Sequence, residues 1–108
     1  HGEGLAIVTP RWMRHILTAT TGELHSQVVE RITSFGKNVF GTATPEESIL
    51  AIHDFYQGIG IPMTLSEVGI DGSRISEMAH HIAVNEGLDQ AWVPLHEDDI
   101  AAILRDCL

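Results

Sequence analysis

The sequence predicts an all-α fold, a bundle of five to six helices. Three observations lead there. Apolar residues recur with helical spacing along the longer stretches, helix start and stop signals punctuate them, and strand patterns are missing. Neither period-two alternation nor an Asn-Gly or Asp-Gly hairpin turn between β-branched runs occurs. At 108 residues the chain is sized for one domain, residues 1–108, with a modest core.

The opening residues are apolar almost throughout, with Leu5, Ala6, Ile7, Val8, Trp12, Met13, Ile16 and Leu17. Pro10 lacks a backbone donor, so a short helix to about Thr9 is expected, then a second segment from Pro10 to about Leu17. Over residues 23–40, Val28, Ile32, Phe35 and Val39 fall on one helical face, and Gly41 supplies the stop. Gly36 weakens the last turns of that helix.

Thr44-Pro45-Glu46-Glu47 is a capping box with proline at the first helical position. Ile49, Ile52, Tyr56 and Ile59 follow as its inward face, ended by Gly58 and Gly60. Pro62 holds Ile61 extended or in a turn, and Thr64-Leu65-Ser66-Glu67 opens a single turn before Gly69. Asp71-Gly72-Ser73 starts a helix with Ile75, Met78 and Ile82 inward, ending near Gly87. Trp92-Val93-Pro94-Leu95 reads as a loop. His96-Glu97-Asp98-Asp99 opens the last helix, where an acidic first turn suits the helix dipole; Ile100, Ile103, Leu104 and Leu108 form its core face.

Composition excludes several function classes. Fifteen acidic residues against six basic ones give a formal charge of −9, the wrong sign for phosphate backbones and anionic membranes. No apolar run approaches the roughly 20 residues that span a bilayer. A basic leader with a small-residue cleavage site is missing. The single cysteine, Cys107, offers no disulfide partner, so a cytoplasmic protein is the default expectation.

The chemical candidates are thin. Seven histidines are present, but none pairs with another at i+3 or i+4, the spacings that share a helix face. His80 and His81 point about 100° apart on a helix. Glu77 with His81 is ordinary surface chemistry, and His15, His25, His53 and His96 have equally plain readings. Cys107 lacks a CxxC partner, no glycine-rich phosphate loop follows a strand, and neither tryptophan has the extended basic surroundings of a base-stacking platform, Trp12 having only Arg11 and Arg14 beside it. From the residues alone, no complete catalytic site and no cofactor-binding residue is present.

His1 remains. It is followed by Gly2 and Gly4, which permit close backbone approach, and by an apolar run that would hold a ligand rigidly. The sequence opens on this histidine, and we read the chain as the C-terminal piece of a larger protein.

The stretch His1-Gly2-Glu3-Gly4-Leu5-Ala6-Ile7-Val8, with Pro10 and Trp12-Met13-Arg14, resembles the segment carrying the last metal-ligand histidine of the iron-dependent (group III) alcohol dehydrogenases, most closely the butanol-dehydrogenase-like branch. The resemblance continues through Gly60-Ile61-Pro62-Met63-Thr64-Leu65-Ser66-Glu67-Val68-Gly69 and ends in Glu97-Asp98-Asp99-Ile100 with Ile103-Leu104. It implies a dehydroquinate synthase-like α domain, a C-terminal fragment of a larger two-domain enzyme. Its N-terminal NAD(P)-binding α/β domain would be missing from this chain. The metal, Fe2+ or Zn2+, would lie between the domains on one Asp and three His, of which only the last maps here, onto His1. The parent would interconvert primary alcohols and aldehydes by hydride transfer with NAD or NADP, as a homo-oligomer. The loop around Gly87–Trp92 would line the substrate pocket.

One histidine cannot hold a metal centre, so the 108 residues alone are expected to be inactive and to bind neither metal nor NAD(P) tightly. Glycerol dehydrogenases and dehydroquinate synthases also carry a His-Gly-Glu segment and are the nearest alternative. A non-enzymatic helical interaction module is the other.

Overall fold

The computed structural model describes residues 2–108. Five α-helices follow one another: α1 (Gly2–Ala19), α2 (Gly22–Phe40), α3 (Pro45–Gly58), α4 (Ile75–Asn85) and α5 (Glu97–Asp106). Short 3-10 turns lie at Ser66–Val68, Gly72–Arg74 and Leu88–Gln90, and no strand occurs among the described residues. The all-α reading holds.

The signals that predicted the elements are visible as hydrogen bonds. At the start of α3 the Glu47 amide donates to Thr44 Oγ1 at 3.1 Å. At Thr64–Glu67 the box is reciprocal, each backbone amide donating to the other residue's side chain at 3.2 Å. Asp71 caps its helix by accepting from the Ser73 amide at 2.9 Å. Gly41 takes the left-handed conformation, φ 72°, that ends α2.

Helix α1 corrects one expectation. It runs unbroken through Pro10 instead of dividing there. The side chains beside the proline supply donors of their own: Thr9 Oγ1 donates to the Leu5 carbonyl at 2.6 Å, and Arg11 Nη1 to the Ile7 carbonyl at 3.0 Å. Pro10 itself is buried with Ile7, Ile16 and Leu17, so tertiary packing overrides the local preference.

α1 is the hub. It packs against α2, α3 and α5, while α2 packs on α3 and α4 on α5. Ile7, Ile16, Val28, Ile49, Ile75 and the α5 residues Ile100, Ile103 and Leu104 join in one core. Three residues predicted to face inward do not: Val39, Ile59 and Leu108 are exposed. Each lies at or past the end of its helix, Val39 in the last turn of α2, Ile59 after Gly58 and Leu108 after Asp106.

Gly36 also has a different meaning from the one its helix propensity suggests. A Cβ there would stand 1.7 Å from Ser48 Oγ and 2.2 Å from Thr42 Oγ1. The missing side chain is what lets α2 and α3 approach.

Candidate functional site

The sequence's one candidate ligand, His1, lies outside the described residues, which begin with α1 at Gly2. Gly2, Glu3, Gly4 and Leu5 are exposed, and burial begins only at Ala6 and Ile7. The opening turn therefore projects from the domain and is anchored from Ala6 onward.

The anchor is a junction of three distant segments. Arg11 extends from α1 and donates to the Met63 carbonyl as well as to Ile7. The Met63 amide in turn donates to Glu67 Oε2 at 2.8 Å, so the carboxylate of the capped turn holds this carbonyl in place. The Leu65 amide donates to the Cys107 carbonyl at 2.6 Å, and Ser66 Oγ to the Leu108 carbonyl at 3.0 Å. The Cys107 thiol lies 3.2 Å from the Ile103 carbonyl and 3.9 Å from that of Ile7, which closes the ring back onto α1. Burial pushes the Cys107 thiol above its ordinary value, and the Arg11 charge offsets only part of that. It is a protonated packing group at neutral pH, without the thiolate that nucleophilic chemistry needs.

The other titratable groups are dispersed. His15 Nε2 lies 3.0 Å from Asp99 Oδ1, tying α1 to the start of α5. The Asp99 carboxyl sits below the usual carboxylate range because it accepts from the His96 amide, with His15 contributing second among the favourable contacts. His80 pairs with Glu97 at 3.0 Å and His53 with Asp54 at 3.4 Å, each with a single carboxylate. Among the described residues no group of three or more His, Cys, Asp or Glu could hold a metal ion. These residues do not by themselves fit a metal centre.

The loop before α5 is ordered by its own bonds. Gly87 is left-handed at φ 64°, and the Leu95 amide donates to the Leu88 carbonyl at 2.9 Å. Trp92 stands at its tip under the Arg31 guanidinium, 4.6 Å from the ring centroid, and its indole N–H reaches Gln27 at 3.4 Å.

The C-terminal model of the Fe-containing alcohol dehydrogenase family matches residues 1–108, the whole chain. The chain belongs to that family. Over 108 aligned positions it is 34% identical to NADH-dependent butanol dehydrogenase A of Clostridium acetobutylicum, covering 97% of this chain and 27% of that protein. Butanol dehydrogenase B of the same organism is 32% identical over 87 positions, covering 73% and 20%. Probable NADH-dependent butanol dehydrogenase 1 of Bacillus subtilis is 28% identical over 111 positions, covering 100% and 28%. The chain thus spans about a quarter of the length of these relatives.

For this C-terminal iron-type alcohol dehydrogenase domain, the three stretches that carried the resemblance converge on the junction just described. The opening helix, the Gly60–Gly69 segment and the terminal helix are stitched together through Arg11, Leu65 and Cys107. Sequence reasoning named the stretches but missed their connectors. Arg11 to Met63 spans 52 positions and His15 to Asp99 spans 84, and no local spacing signals either. No described helix is long and apolar enough to cross a membrane.

Proposed function

We propose that the chain is the C-terminal, metal-side domain of an NAD(P)-dependent alcohol dehydrogenase acting on primary alcohols and the corresponding aldehydes. The observation that carries this reading is the family match over all 108 residues, joined by relatives that are butanol dehydrogenases. The nucleotide and Fe2+ or Zn2+ would be held in a longer polypeptide by groups outside the described residues, His1 among them. A partner domain that binds NAD(P) would precede this one, consistent with the greater length of the relatives.

Within that enzyme the described residues bind no electron carrier; their work is positional. A nicotinamide bound in the longer polypeptide would supply the hydride acceptor for alcohol oxidation, and rate would depend on holding the reacting atoms in line. A helix that projects its first turn from a buried anchor at Ala6 and Ile7 fixes whatever that turn bears.

The test is nicotinamide reduction by the longer polypeptide with butanol, before and after chelation and metal replacement. Metal-dependent turnover that disappears in His1→Ala, together with lost metal content, is the expected result. Turnover of glycerol or a sugar-acid phosphate but of no simple alcohol would overturn it in favour of the superfamily relatives.

A further inference from the structure

Between α1 and α2, beside Trp92 of the loop that precedes α5, lies a groove of about 280 Å³. Its floor includes Ile16 and Ile32, both buried in the core. Three aromatic residues from three segments line it, the half-buried Trp12 and Phe35 and the exposed Trp92. Among the described residues, Arg31 is the one charged group in the lining. Its guanidinium lies over the Trp92 ring, 4.6 Å from the centroid. That contact consumes no N–H donor, and Arg31 pairs with no carboxylate among the described residues. The ring thus steadies the guanidinium while its N–H fork stays available, and that fork matches the two oxygens of a carboxylate.

The lining selects a ligand class. A cation would be repelled by Arg31, a neutral ring would leave the fork unused, and a bare carboxylate would leave three aromatic side chains without a partner. Apolar cavities of about 150 Å³ accept benzene, so the groove suits one ring or a fused pair. The formal charge of −9 gives no general attraction for anions, so retention depends on direct contact with Arg31. No nucleophile and no acid–base pair lines the groove, which makes it a place for binding and not for chemistry. Trp12 stands about 15 Å along α1 from Gly2, at 1.5 Å per residue, far from the projecting first turn.

We propose that this groove is a binding site for a planar aromatic carboxylate of one or two fused rings, separate from the alcohol and nucleotide sites of the longer polypeptide. The rings of the ligand pack against Trp12, Phe35 and Trp92, and its carboxylate takes the Arg31 fork. The site goes beyond the alcohol dehydrogenase reading and does not depend on it. A bound ligand ties α1, α2 and the loop before α5 together, and so stabilises the fold by mass action.

The experiment is calorimetric titration of the full-length polypeptide with 2-naphthoate, followed by thermal unfolding with and without it. One ligand per chain and a raised Tm are expected. On the unaltered protein, 2-naphthamide, which keeps the rings and loses the charge, should bind roughly tenfold more weakly or worse, as should cyclohexanecarboxylate, which keeps the charge and loses the rings. Arg31 is exposed, so its replacement leaves the core intact. Arg31→Leu should weaken 2-naphthoate roughly tenfold more than it weakens 2-naphthamide, and Arg31→Lys should recover part of the loss. Absence of saturable binding, equal affinity for the acid and the amide, or an equal effect of Arg31→Leu on both overturns the proposal. Displacement of 2-naphthoate by NADH or butanol also overturns it, by assigning the groove to the nucleotide or the alcohol.

Discussion

Gly36 shows how a single residue can carry opposite meanings in sequence and in structure. By propensity alone, alanine there would favour the helix by about 1 kcal/mol. The position instead faces Ser48 and Thr42, with their hydroxyls 1.7 and 2.2 Å from where a Cβ would lie. Neither can retreat freely, because Ser48 is fully buried and donates to the Thr44 carbonyl at 2.8 Å while sharing a hydrogen bond with Thr42 at 2.9 Å. Overpacking of this kind costs about 1–3 kcal/mol, which exceeds the propensity gain. Gly36→Ala should therefore lower stability, by up to about 2 kcal/mol, in urea unfolding; a variant more stable than the parent would show that α2 and α3 are not in contact here. The sequence offered no sign of this, since a helical glycine looks the same whether it is a defect or a contact.

At the scale of elements, what was legible was local and what was hidden was long-range. The caps at Thr44, Thr64 and Asp71 and the stop at Gly41 are each specified within a few residues, and each was readable. The unbroken α1 was not, because the burial that outweighs Pro10 comes from residues far along the chain. The candidate site was legible only through resemblance: its one named ligand, His1, is outside the described residues, and the junction behind it depends on contacts without local spacing. Arg11 is the testable member of that junction. Removing a charged donor that serves two carbonyls should cost about 1.5–3 kcal/mol, so Arg11→Ala should unfold at lower urea and speed amide exchange at Leu65, with Arg11→Lys recovering part of both. Unchanged exchange at Leu65 would mean that the Gly60–Gly69 segment holds itself without α1. Asp99 joins α1 to α5 in a different way, through charge. Its carboxyl is held below the ordinary value of 3.8 in the folded state. The stability it contributes is therefore complete above that ordinary value and disappears as pH falls through the lower, folded one. Asp99→Ala should cost about 1 kcal/mol at pH 7, the usual worth of a cap, and the gap from wild type should shrink as pH falls below 3.8 and close once it is under the lowered, folded-state value. A gap that persists there would assign the loss to packing instead of to the carboxylate.

The molecule as a whole is a slab, 37 × 35 × 18 Å, and its radius of gyration of 14.1 Å exceeds the roughly 13 Å typical of a domain of 108 residues. Its 6500 Å² of accessible surface is also above the roughly 5,900 Å² expected at this mass. Some of the excess is apolar: Val39, Leu50, Phe55, Ile59 and Val84 are each more than half exposed, and Phe40, Phe55 and Tyr56 form a run of neighbouring rings. Among the described residues, the histidines that meet carboxylates do so one to one. His15 with Asp99, His53 with Asp54 and His80 with Glu97 each present one nitrogen and one carboxylate, whereas even a catalytic zinc takes three protein ligands. Residues 1–108 on their own should therefore retain no stoichiometric iron or zinc after dialysis and should reduce no nicotinamide with butanol. Elemental analysis of the dialysed domain and a turnover assay check this together. Tight binding of one metal per chain would mean that His1 finds partners within these residues, and would return the centre to this domain alone.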